Sequence, residues 1–217
     1  MTFADFHHQL QTKHPDRMQV MSQSRTLPPH DRFQLMCLAA QDENPRIRYD
    51  AVSQLGTVGT VDLERTQQIL ETALQSDPEI DVRAAAADSL GALQITSAFP
   101  LLVQTYRSTS DWLLQLSIVA ALGILGVREA FDLLVEATAS ENELVQISAI
   151  RALGDLGDDR GVEVVAQFHN HRDWQVRHAV VQALSQLGET AKPLLQALTQ
   201  DPVSHVAAAA RLALGTD

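Results

Sequence analysis

The chain is poor in several features, and each shortage closes off a class of protein. It holds one cysteine, Cys37, in 217 residues. No internal disulfide can form, and a lone thiol in the apolar run "FQLMCLAA" reads as a buried small hydrophobe in a reducing compartment. Cations are outnumbered: 16 Lys and Arg against 27 Asp and Glu leave a formal charge of −11. That balance repels a phosphate backbone, so nucleic acid is not an expected partner. Nowhere do 18 uncharged apolar residues run together, and "MTFADFHHQLQTKHP" has no basic start leading into an apolar stretch. Membrane insertion is therefore not expected, and the cytoplasm is the expected location. A nucleophile elbow, a phosphate-binding glycine loop and zinc-ligand spacing are also missing. Catalytic residues are accordingly unknown, and no metal or permanently bound cofactor is expected.

What the chain has is repetition. The phrases "RIRYDAVSQLGTVG", "VRAAAADSLGAL", "LQLSIVAALGILG", "VQISAIRALGDLG" and "VRHAVVQALSQLG" are variants of one pattern. Their first aliphatic residues, Ile47, Val82, Leu114, Val145 and Val176, serve as anchors, with Val206 in a weaker sixth copy; the intervals are 35, 32, 31, 31 and 30 residues. Four residues past each anchor stands Ala51, Ala86, Ile118, Ala149, Val180 or Ala210, and eight past it stands Leu55, Leu90, Leu122, Leu153, Leu184 or Leu214. Offsets of 0, 4 and 8 form one stripe of an α-helix. Gly56, Gly91, Gly123, Gly154 and Gly215 follow these leucines and suit close helix packing, whereas Gly59, Gly126, Gly157 and Gly188 suit left-handed helix stops. Asp111, Asn142 and Asp173 read as N-caps, and Pro45, Pro78 and Pro202 as first-turn prolines.

A second apolar-periodic segment, such as "DLERTQQILETAL" or "REAFDLLVEATA", separates successive phrases. The unit is a helical hairpin of about 31 residues, and units that bury their faces only by stacking make an α-solenoid. The expected organisation is one all-α domain over 1–217. Residues 1–31 would be a degenerate N-terminal cap, 32–189 the regular repeats and 190–217 a capping repeat ending at Asp217. Alternatively, that thin last copy docks on a second subunit, giving a homodimer.

Solenoids use the wall built from the second helix of each hairpin. With about 100° per residue, offsets +2, +3 and +6 point away from the buried stripe. The wall is then expected to show Tyr49, Ala84, Leu116, Ile147 and His178 at +2, and Ser53, Asp88, Ala120, Arg151 and Gln182 at +6. Ile80, Trp112 and Trp174 at −2 lie beside them. A row of Trp112, Leu116, Ile147 and Trp174, bracketed by Asp88, Arg151 and His178, either forms a groove for a partner or flat conjugated ligand, or consists of tryptophans that lid neighbouring repeats. Arg48, Arg83 and Arg177 at +1 are expected to bond adjacent caps and carbonyls rather than an anion. His169, His171 and His178 lack metal-ligand spacing, as do His7, His8 and His14. The acidic turn "DLGDDRG" at 155–161 is expected to be solvated.

The phrases "IRYDAVSQLG", "DVRAAAADSLGAL", "STSDWLLQLSIVAALGILG", "ENELVQISAIRALGDLGD" and "DWQVRHAVVQALSQLG", spanning about residues 40–190, resemble the HEAT-like repeats of the phycobiliprotein bilin-lyase family, and within it the cyanobacterial phycobilisome-degradation proteins of the NblB type. The resemblance implies a protein that handles phycobiliprotein subunits, phycocyanin or allophycocyanin. It would assist detachment of a thioether-linked bilin as the antenna is dismantled, with phycocyanobilin a transient ligand. Within that frame Trp112, Leu116, Ile147 and Trp174 would supply walls, Arg151 a propionate contact and Asp88 an acceptor for the pyrrole nitrogens. Two other readings stay open: a lyase subunit that attaches phycocyanobilin, and a scaffold without turnover for assembly of a photosynthetic or iron–sulfur complex.

Overall fold

Helices begin in this chain where a short polar side chain can satisfy the free amides of a first turn. Asn44 accepts from the Arg46 amide at 3.0 Å, Asp62 from Arg65 at 3.0 Å, Asp111 from Leu113 at 2.9 Å, Asn142 from Leu144 at 2.9 Å and Asp173 from Gln175 at 2.7 Å. Each such cap contributes roughly 1 kcal/mol. Asp111, Asn142 and Asp173 were expected to act this way. Asn44 stands in the same slot, three residues before its anchor.

The computed structural model describes residues 3–12 and 17–215, so His14 and Asp217 lie outside the described residues. Within them the helices are α1 (Phe3–Gln11), α2 (Arg17–Gln23), α3 (Pro29–Ala39), α4 (Pro45–Val58), α5 (Leu63–Ser76), α6 (Ile80–Ala92), α7 (Phe99–Ser108), α8 (Trp112–Leu125), α9 (Phe131–Ala137), α10 (Glu143–Leu156), α11 (Gly161–Ala166), α12 (Trp174–Gln186), α13 (Lys192–Leu198) and α14 (Ser204–Leu214). The described residues contain no strand. From α3 onward, odd and even helices alternate as the first and second members of six hairpins.

The described chain divides into two compact units, one ending at Ala121 and the other beginning at Leu122, with the division inside α8. In the first unit α4 packs on α3 and α6, and α6 on α5; in the second α12 packs on α10 and α14, α10 on α9 and α14 on α13. All six anchors are buried, as are the +8 leucines from Leu55 to Leu184, while Leu214 is only half-buried. Cys37 is buried in α3, and burial pushes its thiol up, as a structural thiol requires.

Second helices meet through a glycine at +9 and a small residue at +7 of the next. A Cβ added to Gly91 would lie 2.8 Å from Ala121 Cα, and one added to Gly154 would lie 2.5 Å from Ala183 Cα. Backbones this close leave no room for a methyl group. Gly56 faces Ser89, whose hydroxyl donates to the Val52 carbonyl at 3.0 Å.

Two glycines exchange the roles expected of them. Gly215 takes φ +67° and closes α14, whereas Gly59 stays right-handed and packs against Thr66. The left-handed slot is +12, occupied by Gly126, Gly157 and Gly188. In the second repeat Gln94 sits there at φ 51°, the one non-glycine with positive φ among the described residues. The longer first interval of 35 residues lets the chain leave α4 through a 3₁₀ turn at 59–61, so Gly59 need not reverse it. Pro78 and Pro202 also depart from expectation: each lies two residues ahead of its helix, beside Asp77 or Asp201, whereas Pro45 is in the first turn.

Candidate functional site

The second helices have two working edges. Position +1 faces the loops. Arg48 donates from Nε and Nη2 to the two carboxylate oxygens of Asp77 at 2.7 and 2.9 Å, and from Nη1 to the Asp42 and Glu43 carbonyls. Arg177 repeats the pattern with Asp201 at 2.6 and 2.9 Å and with the His171 and Arg172 carbonyls. Arg83 donates to the Leu74 carbonyl at 2.8 Å, and Gln115 and Gln146 fill the same slot, donating to Thr109 and Thr138 carbonyls. The expected structural role of the three arginines is what the bonding shows. Fork-to-fork pairing holds Asp201 well below the usual carboxylate range, with the Val203 amide adding to the effect against burial. For Asp77 burial is the largest influence and works upward, yet Arg48 and the Glu79 amide outweigh it and the carboxyl is held low.

The other edge carries −2, −1, +2 and +6, and two cavities open on it. In the first unit a concavity of about 760 Å³ is lined by Tyr49 and Asp88 with Arg46, Asp50, Glu79, Asp81 and Ser117 among others. Tyr49 is 48% exposed. Asp88 is open to solvent but set among dense protein at the concavity's wall. Burial pushes its carboxyl up, opposed by a 3.1 Å hydrogen bond from the Ser117 hydroxyl. In the second unit a notch of about 360 Å³ is lined by Arg151, Trp174, Gln175, His178 and His205. The Trp174 ring lies 6.5 Å from the His178 ring, edge to face, and 6.5 Å from the His205 ring. His178 is pushed down by burial first, then by Arg151 and His205, both of which disfavour a second cation. Arg151 also borders a smaller space of about 200 Å³ with Asp155, Gln182 and Gln186. Burial raises the Asp155 carboxyl while Arg151 opposes the rise.

Of the residues expected on the wall, Tyr49 and Asp88 share one cavity, and Arg151, Trp174 and His178 share another. Trp112 and Leu116 belong to the first unit; Trp112 is 45% exposed and Leu116 half-buried. Trp174 is 43% exposed, so neither tryptophan is a covered lid. Ile147 is a correction. It is 8% exposed and forms no wall, whereas Tyr49 in the same +2 slot stays 48% exposed, so the slot alone does not decide exposure. Ala84 at +2 and Ala85, Ser117 and Ala179 at +3 are buried likewise, whereas Asp50 at +3 lines the first cavity, so +3 faces outward only in some copies. His205 was not anticipated. It stands at −1, beside the slot of the tryptophans, and the matching −1 residues Arg46, Asp81 and Gln175 also line cavities.

Two further histidines are engaged locally. His169 Nδ1 lies 2.7 Å from the Ala166 carbonyl, and His171 Nδ1 accepts from the Asp173 amide. Among the described residues no three His, Cys, Asp or Glu side chains are placed to hold a metal ion. In the 155–161 turn Asp158 is paired with exposed Arg160, which holds its carboxyl down to about 2 and lies 4.0 Å over the Phe131 ring. No described helix is long and apolar enough to cross a membrane.

The hairpin register and the glycine seam fit a known repeat family: the family model of HEAT repeats matches residues 31–91, 67–143 and 131–215. The chain belongs to the HEAT-repeat family. No curated protein matches it. Among solved structures, this HEAT-repeat chain is similar to the complex of CpcE and CpcF of phycocyanin lyase from Nostoc sp. PCC7120, with 21% identity, 88% of this chain and 76% of that one covered, and a TM-score of 0.65. It is also similar to the archaeal HEAT-like repeats protein from Thermococcus onnurineus NA1, with 13% identity, 100% and 97% covered, and a TM-score of 0.60. An engineered protein matches with 18% identity over 85% of this chain and 95% of that one, at a TM-score of 0.61. At these identities the likeness is one of fold.

Proposed function

We propose that this HEAT-repeat protein binds phycobiliprotein subunits and assists detachment of their bilin chromophores in phycobilisome degradation. The observation that carries the reading is the open edge of the second helices, where large aromatic rings, Tyr49, Trp112 and Trp174, stand substantially exposed in a fold shared with a phycocyanin lyase complex. Exposed aromatics are the kind of anchor from which protein interfaces draw most of their binding energy. A conjugated tetrapyrrole stacks on such rings, and its acidic side chains pair with cations such as Arg151. The notch beside Trp174 is at the small end for ligand sites, so it would take one ring and its substituent while the rest stays with the carrier protein.

The test mixes the purified chain with intact phycocyanin or allophycocyanin and follows the visible spectrum, with zinc-stained denaturing gels reporting covalent bilin. Co-migration with loss of the covalent band is the expected result. Co-migration with unchanged colour would replace detachment by a scaffolding role, gain of covalent bilin on apo-subunits by attachment, and failure to co-migrate would overturn the reading.

A further inference from the structure

The notch of the second unit has a property that its neighbours lack. The Arg151 guanidinium, the Trp174 indole N–H and the rings of His178 and His205 line one cavity, and none has a hydrogen-bond or ion-pair partner among the described residues. Of the unit's other cations, Arg177 pairs with Asp201, Arg160 with Asp158, Arg172 with Glu143 and Lys192 with Glu189, and Arg211 donates to the Thr199 carbonyl. In a chain with formal charge −11, a cavity whose five lining residues include no carboxylate and three groups able to carry positive charge is electrostatically out of keeping with its surroundings.

Three helices bring these groups together. Arg151 comes from +6 of α10, Trp174 and His178 from −2 and +2 of α12, one turn apart on the same face, and His205 from −1 of α14. The two imidazoles flank the indole at 6.5 Å each. We propose that Arg151, His178 and His205 form, around the Trp174 ring, a binding site for a planar conjugated carboxylate. The ring of the ligand stacks on Trp174 and its carboxylate accepts from the Arg151 fork and the imidazoles. The site is coupled to protons. The charged and titratable groups acting on His178 are Arg151 from α10 and His205 from α14, and no residue of α11 or α13 lines the notch. Burial first, then Arg151 and His205, push the His178 imidazole down in the free protein, and a bound carboxylate works against that push, so binding draws protons in and strengthens as pH falls. Asp155 competes: it shares the adjoining space with Arg151 and interacts with it electrostatically. This inference uses the residues of the candidate site but does not depend on phycobiliproteins being the partner.

The experiment is a titration of the full ¹⁵N-labelled chain with 2-naphthoate and its neutral analogue 2-naphthamide, read at the indole N–H resonances. The chain has two tryptophans, so Trp112 is the internal control. Naphthoate is expected to shift the Trp174 signal and leave Trp112 in place, with affinity about tenfold higher at pH 6 than at pH 8, the change expected when about one proton is taken up over part of that range. Arg151→Gln should abolish the shift, and Asp155→Asn should tighten binding several-fold. An equal response to naphthamide, an unchanged affinity across pH, or undiminished binding by the Arg151→Gln variant would overturn the proposal. Failure with phycocyanin and success with naphthoate would discard the phycobiliprotein reading and keep this one.

Discussion

Arg177 and Arg151 stand on adjacent second helices, α12 and α10, one at the loop edge and the other on the open edge. Arg177 has its Nε, Nη1 and Nη2 donors engaged with Asp201 and two loop carbonyls and is almost wholly buried. Arg151 has no such partner and lies open to solvent between two cavities. The same side chain is thus a structural tie at +1 and a free cation at +6. The difference lies in whether an Asp precedes the next helix within reach of the fork. The lesson is that charge type says little about role in a repeat protein, whereas position in the repeat says a good deal.

The comparison can be broken hardest at the tie. Arg177→Met should strand the buried Asp201 carboxylate and destabilise the protein by about 3–5 kcal/mol in urea unfolding. The pH dependence follows with a definite sign. Asp201 has its folded pKa below the unfolded value of about 3.9, so the stabilisation is full above that value and is lost as pH falls through the lower folded one. Wild-type stability should therefore drop steeply below about pH 4, and Asp201→Asn should flatten that slope.

The seam between second helices comes next. Gly154→Ala would drive a methyl group against Ala183 and should cost about 1–3 kcal/mol, read in the same unfolding curve. A smaller effect of opposite sign is expected at the left-handed slot: Gln94→Gly relieves a strained backbone and should stabilise by about 1 kcal/mol. Smallest of all, Arg151→Gln should change stability by less than about 0.5 kcal/mol. A loss there comparable to that of Arg177→Met would erase the distinction between the two edges.

Much of the fold could be read in the chain because the anchor, +4 and +8 positions bury one stripe regardless of what lies outside the repeat. The N-caps were readable because their partners lie within one turn, and the +1 ties because the repeat returns an Asp to the loop ahead of the next second helix. The open edge was harder, because the exposure of a wall residue depends on how near the next helix comes. Ile147 is buried at +2 where Tyr49 is exposed, and Ser117 is buried at +3 against Asp88 of the preceding second helix. The periodicity of a single helix contains no such distance. The stripe offsets do not point to His205: −1 carries unlike residues from copy to copy, and only the cavity brings His205 and Gln175 together. Gly59 and Gly215 differ from expectation because glycine permits either role, and the chain that follows chooses between them.

The +9/+7 contact has a consequence for how such arrays are assembled and edited. Its two halves belong to different repeats: Gly91 is matched by Ala121, Gly123 by Ala152 and Gly154 by Ala183. A cassette cut between equivalent points therefore takes a socket at one end and a plug at the other, and grafts in phase onto any copy that retains both. Between α12 and α14 the key is worn, since Ser185 replaces glycine at +9 and both it and Ala213 are exposed. A transplant at that joint would have no template to set its spacing.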